Sequence, residues 1–312
     1  MENDFYDFII IGAGVAGLTA AQYASRANLS ALVIDPISQG GQVEQIIELE
    51  NYPGIYPAIS GFDFIKAMTE QTLSFGAKII KDSVISIDKP NDKYLVKTKE
   101  KEFESHTLLI ATGAFRRQLN VPGENEFVGH GVSYCATCDG PFFKNRRIAV
   151  IGGGDAACDE ATYLATLSDK VTLIHRKGQL RAQKGIAERV LRNPNITVMF
   201  NSIVKEIKGD TVVKSLLLEN SKTHEESNFE TDGVFVFIGM IPRSELVENL
   251  PKDEAGYIIT NEKMETKFPG MYVAGDIRSK SFRQIVTACA DGAIAANSAR
   301  SYISELNEEV YK

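Results

Sequence analysis

Apolar and polar positions along this chain fall into a pattern that occurs twice. Residues 7–24 read DFIIIGAGVAGLTAAQYA and residues 147–165 read RIAVIGGGDAACDEATYLA. Each begins with an apolar run of strand length, passes through a glycine turn and continues as alanine-rich sequence of helical period. Each then reaches a second short apolar run, ALVID at 31–35 and VTLIH at 171–175. Gly12 and Gly152 hold equivalent places, an offset of 140 residues. Strand, helix and strand repeated in this way predict two parallel-sheet nucleotide-binding units.

The segments between and after the repeats complete the prediction. SVISID (83–88) and KYLVKT (93–98) alternate and read as strands of an inserted antiparallel layer. LLIATG (108–113) is an apolar run closed by glycine, and the charged VPGENEFVGHG (121–131) reads as a linker. ITVMF (196–200), VVKSLLLE (212–219) and VFVFIG (234–239) read as strands. GMYVAGD (270–276) and a helical 281–303 have no counterpart in the second repeat, so they are expected to return to the first domain. The expected fold is α/β: two Rossmann-like three-layer nucleotide-binding domains, the second inserted into the first. The boundaries are 1–115, 116–243 and 244–312, with crossings near 115 and 243.

Composition narrows the function. The chain has 312 residues, 44% hydrophobic and 24% charged, with 34 Lys and Arg against 41 Asp and Glu. That fits a globular protein of about two domains. A net charge of −7 gives no electrostatic footprint for nucleic acid and no attraction to anionic membrane. Phe8–Ser25 is uncharged, but Glu2, Asp4 and Asp7 precede it and three glycines interrupt it. It therefore reads as strand, turn and helix and not as an export signal, and a cytoplasmic location is expected. Four cysteines are too few for a disulfide scaffold.

Three motifs carry chemistry. In Gly12-x-Gly14-x-x-Gly17 the first glycine permits the tight turn and the second admits a pyrophosphate to the backbone. The third lets the helix pack on its strand, and the diphosphate sits at the helix N-terminus. Asp35, at the end of the second strand, can accept from a ribose hydroxyl. In the second copy, Gly152-x-Gly154-x-x-Ala157, the position equivalent to Asp35 is His175, followed by Arg176, Lys177 and later Arg181. A carboxylate in one site and cations in the other point to a dinucleotide without a 2′-phosphate in the first and NADP in the second. The first motif alone does not choose between FAD and NAD. Ala274-Gly275-Asp276 favours FAD, since an acid there can hold a ribityl hydroxyl ahead of a helix.

The third motif is Cys135-Ala136-Thr137-Cys138-Asp139. Half a zinc site and a pair of structural thiols are the alternatives to a redox dithiol, and zinc would want a second closely spaced pair. No metal is expected. Asp139 is placed to exchange a proton with a thiolate, or else to cap a turn. Cys158 and Cys289 read as core thiols, His106 and His224 as surface residues, and Arg116–Arg117 and Arg146–Arg147 as solvated basic turns.

Together these segments resemble the low-molecular-weight, bacterial-type thioredoxin reductases over essentially the full length. The resemblance rests on GAGVAGLTAAQYASRANL, GGQ (40–42), ENYPG (50–54), ATGA (111–114), GVSYCATCDGPFF (131–143) and VIGGGDAA (150–157). IHRKGQLRA (174–182), VFIG (236–239), VAGD (273–276) and RQI (283–285) match as well. It implies an FAD site at Gly12, Gly14, Gly17, Asp35, Gly41, Gln42, Asn51, Gly113, Asp276, Arg283, Gln284 and Ile285. It implies an NADPH site at Gly152, Gly154, Asp155, Ala156, His175, Arg176, Lys177, Arg181 and Gly239. It further implies that Cys138 faces the flavin, that Cys135 attacks the disulfide of thioredoxin, and that Asp139 is the acid–base group. A homodimer and a rotation of the NADPH domain about the two crossings are also implied. Many relatives carry arginine where this chain has Lys177, and lysine lacks the two-pronged grip on phosphate. Reductases of flavodoxin or ferredoxin on the same scaffold, a flavin-binding redox sensor, and a disulfide-reducing subunit for a peroxidase are the rival readings.

Overall fold

The structure, a computed structural model, describes residues 5–37, 39–46, 49 and 51–306; the side chains of Gln45, Asn91 and Cys138 lie outside the description. The chain divides into two compact units, Met1–Phe115 with Ile241–Lys312, and Arg116–Met240. The return crossing falls between Met240 and Ile241, slightly ahead of residue 243.

The first unit begins with strand β1 (Phe5–Ile11), helix α1 (Val15–Arg26) and strand β2 (Ala31–Asp35). Then follow α2 (Gly61–Ser74), β3 (Lys78–Lys81), β4 (Val84–Asp88), β5 (Tyr94–Thr98) and β6 (Glu102–Ile110). The strands form one sheet in the order β3-β2-β1-β6-β5-β4. No separate antiparallel layer is inserted, contrary to the sequence expectation, because β6 joins the two halves. Its first residues alternate exposed and buried and pair antiparallel with β5. Its last four are all buried and pair parallel with β1, as a strand covered on both faces must be.

The chain leaves along β7 (Ala114–Arg116). The second unit holds β8 (Val132–Ser133), the short helix α3 (Ala136–Asp139), β9 (Ile148–Gly152), α4 (Asp155–Leu167) and β10 (Val171–Ile174). Next come α5 (Lys184–Arg192), β11 (Ile196–Met199), β12 (Ser202–Gly209), β13 (Val213–Asn220), β14 (Glu226–Glu230) and β15 (Gly233–Phe237). A parallel sheet β11-β10-β9-β15-β8 carries helices on one face, where Val150, Leu173 and Phe235 meet Ala161 and Leu164. Its other face is covered by the antiparallel sheet β12-β13-β14 through Ile151, Ile174, Ile207 and Leu216.

The segment 121–131 is not a linker. Phe127 is buried, Ile207 N donates to Pro122 O (2.9 Å), and the buried Glu124 accepts from Leu119 N (2.8 Å), Asn120 N (2.6 Å) and Tyr134 Oη (2.7 Å). Its polar composition conceals a carboxylate spent entirely on local donors. Arg147 is likewise no solvated turn: it pairs with Asp232 (2.9 Å) and Glu230. Arg116 is half-buried, with Glu160 and Asp139 as its electrostatic neighbours.

The return strand β16 (Met240–Pro242) pairs with β7, so the two crossings lie side by side. Strand β17 (Met271–Val273) then adds to β6 in parallel, and α6 (Ile285–Leu306) packs on α1. A Cβ on Gly292 would stand 2.1 Å from Ala16 O, so these helices touch backbone to backbone. Helix α6 starts later than the periodicity predicts, and the segment 278–284 separates it from Asp276. The repeat is exact where it matters: α1 begins at 15 and α4 at 155, β2 at 31 and β10 at 171.

Candidate active site

In the first unit the parallel strands end over a cleft of about 290 Å³. Gly12, Gly14, Asp35, Gly41, Gln42, Gly113 and Asp276 line it, as do Val15, Ile37, Gly40, Thr112 and Arg243. The glycines divide their duties. A Cβ on Gly12 would lie 2.4 Å from Ala111 O, and one on Gly17 would lie 1.9 Å from Gly12 O, so Gly17 serves packing and not the cleft. A Cβ on Gly14 would meet nothing, which leaves open space above the start of α1. Gly14 caps α1 without any side-chain hydrogen bond, and its first turn carries no acid. With no side chain spent on its first turn, that end of the helix suits an anion.

Asp35 accepts from Ala13 N (2.8 Å) and Ile37 N (3.0 Å), fixing the glycine loop while keeping lone pairs free for a hydroxyl. Gln42 donates through Nε2 to Ala114 O (2.7 Å). Asp276 Oδ1 is buried and meets Lys280 Nζ at 3.4 Å without hydrogen-bond geometry, and burial raises the carboxyl above its ordinary pKa. Behind it Asp291 of α6 accepts from Gly275 N (3.1 Å), Arg278 Nη1 (2.8 Å) and Lys280 Nζ (3.0 Å). Asn51 donates to Gln284 Oε1 (3.2 Å), and Arg283 lies 3.6 Å over the Tyr257 ring. These three, with Ile285, are not among the residues lining the cleft. Arg243 has no signal in the sequence; the return crossing brings it beside Gly113, whose carbonyl accepts from Arg243 N (3.0 Å).

In the second unit the equivalent loop is built with different supports. A Cβ on Gly152 would meet Phe237 O at 2.4 Å and Ala157 Cβ at 2.5 Å, which is why alanine serves as the third member. Gly154 caps α4 with open space above it, and Ala156 lies in that helix's first turn. Asp155 accepts from Gln183 N (2.7 Å) and Gln183 Nε2 (2.8 Å), so its carboxylate fastens the 176–183 loop. Arg181 N donates to Gly153 O (2.6 Å), a second fastening. His175 is 4% exposed and lies under Gly153, where a Cβ would come within 2.3 Å of Nδ1. Burial, then Arg181, holds its pKa below 6.5, so the ring is neutral and supports the loop from beneath. Arg176, Lys177 and Arg181 are exposed, and among the described residues none pairs with a carboxylate. Gly239 accepts from Arg117 N (2.9 Å) and has open space where a Cβ would stand.

The third motif follows β8. Cys135 is disulfide-bonded, and Cys158 and Cys289 are free and buried. Desolvation pushes Cys158 up to about 11 and also raises Cys289, so both stay protonated and unreactive. The backbone of Cys138 lies in α3; its side chain lies outside the described residues. Cys135 N donates to Ser133 Oγ (3.0 Å), and Ser133 Oγ lies 2.6 Å from Asp139 Oδ2. Among the described residues no group of three His, Cys, Asp or Glu is placed to hold a metal, and no helix is long and apolar enough to cross a membrane.

The model of the pyridine nucleotide-disulphide oxidoreductase family matches residues 6–292. A thioredoxin reductase of Treponema pallidum (strain Nichols) is 51% identical over 306 residues, covering 98% of this chain and 99% of its own. The chain belongs to the thioredoxin reductases of that family. The thioredoxin reductase of Bacillus subtilis (strain 168) is 46% identical over 309 residues, 98% of each chain. The solved Lactococcus lactis thioredoxin reductase (FR conformation) superposes with a TM-score of 0.90 at 42% identity, over 96% of this chain and 99% of that one. The fold is the family's Rossmann-type α/β fold, and the family's cofactors are FAD and NADPH. Both fit the residues present. The open space over Gly14 and the buried Asp276 Oδ1 suit a flavin dinucleotide; the open space over Gly154 at the start of α4 suits the diphosphate of NADPH, and the three exposed cations suit its 2′-phosphate.

Proposed function

We propose that this enzyme reduces the disulfide of thioredoxin with NADPH through FAD and a Cys135–Cys138 dithiol. The reading is carried by one observation: Cys135, disulfide-bonded, shares its unit with a glycine loop flanked by exposed cations and with a carboxylate anchored beside it. In sum, NADPH, a proton and oxidised thioredoxin give NADP⁺ and the thioredoxin dithiol. FAD, when bound, carries two electrons between the nicotinamide and the disulfide.

Each residue has a part in this reading. Gly12, Gly14, Asp35, Gly41, Gln42, Gly113 and Asp276 hold FAD, with Asn51, Arg283, Gln284 and Ile285 beside them and Gly17 packing the loop. Gly152, Gly154, Ala156 and Gly239 admit NADPH to the backbone, while Arg176, Lys177 and Arg181 bind its 2′-phosphate. His175 and Asp155 position the loop that carries those cations. Cys138 receives electrons on the flavin side and Cys135 attacks thioredoxin. Asp139 gives or takes the proton that keeps one sulfur a thiolate when needed. The first unit is the FAD domain and the second the NADPH domain, in a cytoplasmic homodimer.

The decisive experiment is Cys138→Ser. NADPH still bleaches the flavin band anaerobically, and oxidised thioredoxin no longer restores it. Undiminished thioredoxin turnover in that variant refutes the reading and favours a reductase of flavodoxin or ferredoxin on this scaffold, which needs no dithiol.

A further inference from the structure

Ser133 is the last residue of β8 and is 4% exposed, yet three polar groups converge on its hydroxyl. Asp139 Oδ2 lies at 2.6 Å, Cys135 N donates to it at 3.0 Å, and Cys135 O lies at 3.2 Å. A hydroxyl has one proton and two acceptor sites. Cys135 N permanently fills one acceptor site. The single proton therefore goes either to Asp139 Oδ2 or to Cys135 O.

We infer that Ser133 is a positioning residue for Asp139, a hydroxyl rotor that satisfies that carboxyl in both of its protonation states. The inference rests on the acid–base reading of Asp139. When Asp139 is ionised, Ser133 donates to Oδ2. When Asp139 has taken a proton, it becomes the donor to Ser133 Oγ, and the Ser133 proton turns to Cys135 O. In each state the Ser133 proton has an acceptor, Cys135 N keeps its partner, and Oδ2 of Asp139 stays hydrogen-bonded. The exchanged proton moves between Asp139 and a sulfur of the dithiol, and no electron moves in this step. Because Asp139 N also donates to Cys135 O (3.1 Å), the carboxyl and the peptide of Cys135 are tied at both ends.

The geometry explains why a serine precedes the dithiol by two residues. Alanine leaves Cys135 N and Asp139 without their shared partner, and threonine keeps the hydroxyl. Among the described residues, Arg116 interacts electrostatically with Asp139 and with Glu160 on α4, the helix packed against α3. They remain in every variant below, so a change in pH behaviour reports on Ser133.

The test uses the FAD-loaded enzyme and the variants Ser133→Ala, Ser133→Thr and Asp139→Asn. Thioredoxin turnover is read as a ratio to NADPH-driven bleaching of the flavin, across the pH range. Ser133→Ala lowers that ratio about tenfold, the worth of one hydrogen bond to a charged group, and moves the acidic limb of the profile toward alkaline pH. Ser133→Thr restores both the ratio and the limb. A Ser133→Ala enzyme with the parent ratio and profile, while Asp139→Asn is slow, overturns the Ser133 assignment alone. Equal losses in the alanine and threonine variants with an unmoved profile do the same, since they mark a structural role. Full thioredoxin turnover in Asp139→Asn overturns the acid–base reading of Asp139 and the rotor with it.

Discussion

Replacing Asp291 by asparagine tests how the Gly275–Asp276 corner is held. The carboxylate joins α6 to that corner through Gly275 N, Arg278 and Lys280, and the three charged side chains are only 8%, 14% and 9% exposed. At such burial solvent screens little, and removing one partner of a buried pair costs about 3–5 kcal/mol. Asparagine retains an acceptor for Gly275 N, and Asp276 remains a counter-charge for Lys280 at 3.4 Å. The loss is therefore set at the lower end, about 3 kcal/mol. Two units need not unfold together, so the readout is amide hydrogen exchange in α6 and at Gly275. Protection there falls about a hundredfold, while β9 and β10 in the other unit are unchanged. The double variant Arg278→Met with Asp291→Leu regains part of the loss, because an apolar replacement leaves no stranded charge at that pair. Parent-like exchange in Asp291→Asn, or a double variant worse than the single, refutes the argument.

Protonation of His175 is opposed by burial and by Arg181, so its folded pKa lies below the unfolded 6.5. At neutral pH both states are neutral; as pH falls below 6.5 the unfolded chain takes the proton first and stability drops toward the folded pKa. Urea unfolding of the second unit weakens over that window, and His175→Gln removes the dependence. Gly292→Val drives a side chain into Ala16 O and lowers protection of α1 and α6 by at least about 2 kcal/mol, measured by the same exchange. Lys177→Arg adds a planar two-pronged donor beside Arg176 and raises the preference for NADPH over NADH severalfold, read as the ratio of kcat/KM values.

The sequence carried the elements whose physics is local. Glycine turns between an apolar strand and an alanine-rich helix announce themselves, and a 140-residue offset located His175 opposite Asp35. What it concealed depends on partners distant along the chain. Glu124 in a polar, glycine-bearing stretch looks like solvent-facing sequence until three donors are seen to converge on it. Strand β14, ESNFE, has no alternation strong enough to reveal it, and it exists because β13 offers an edge. Asp155 and His175 read as cofactor ligands by position, and only the fold shows that Gln183 donates to the one and that Gly153 lies over the ring of the other. Arg243 and Asp291 enter or support the first cleft only because the chain returns to it. Arg116 looked like half of a basic turn, and its neighbours Asp139 and Glu160 lie far along the sequence.

The pairing of β7 with β16 bears on the order in which the chain assembles. The first unit is interrupted by Arg116–Met240, and holding the ends of so long an unstructured excursion together costs about 4 kcal/mol of closure entropy. Once the excursion has collapsed into its own sheets, its two ends emerge as hydrogen-bonded neighbours and that penalty disappears. Assembly of β17 and α6 onto the amino-terminal strands is thereby made a nearly local event, and the late-synthesised carboxy-terminal segment finds its seat already marked.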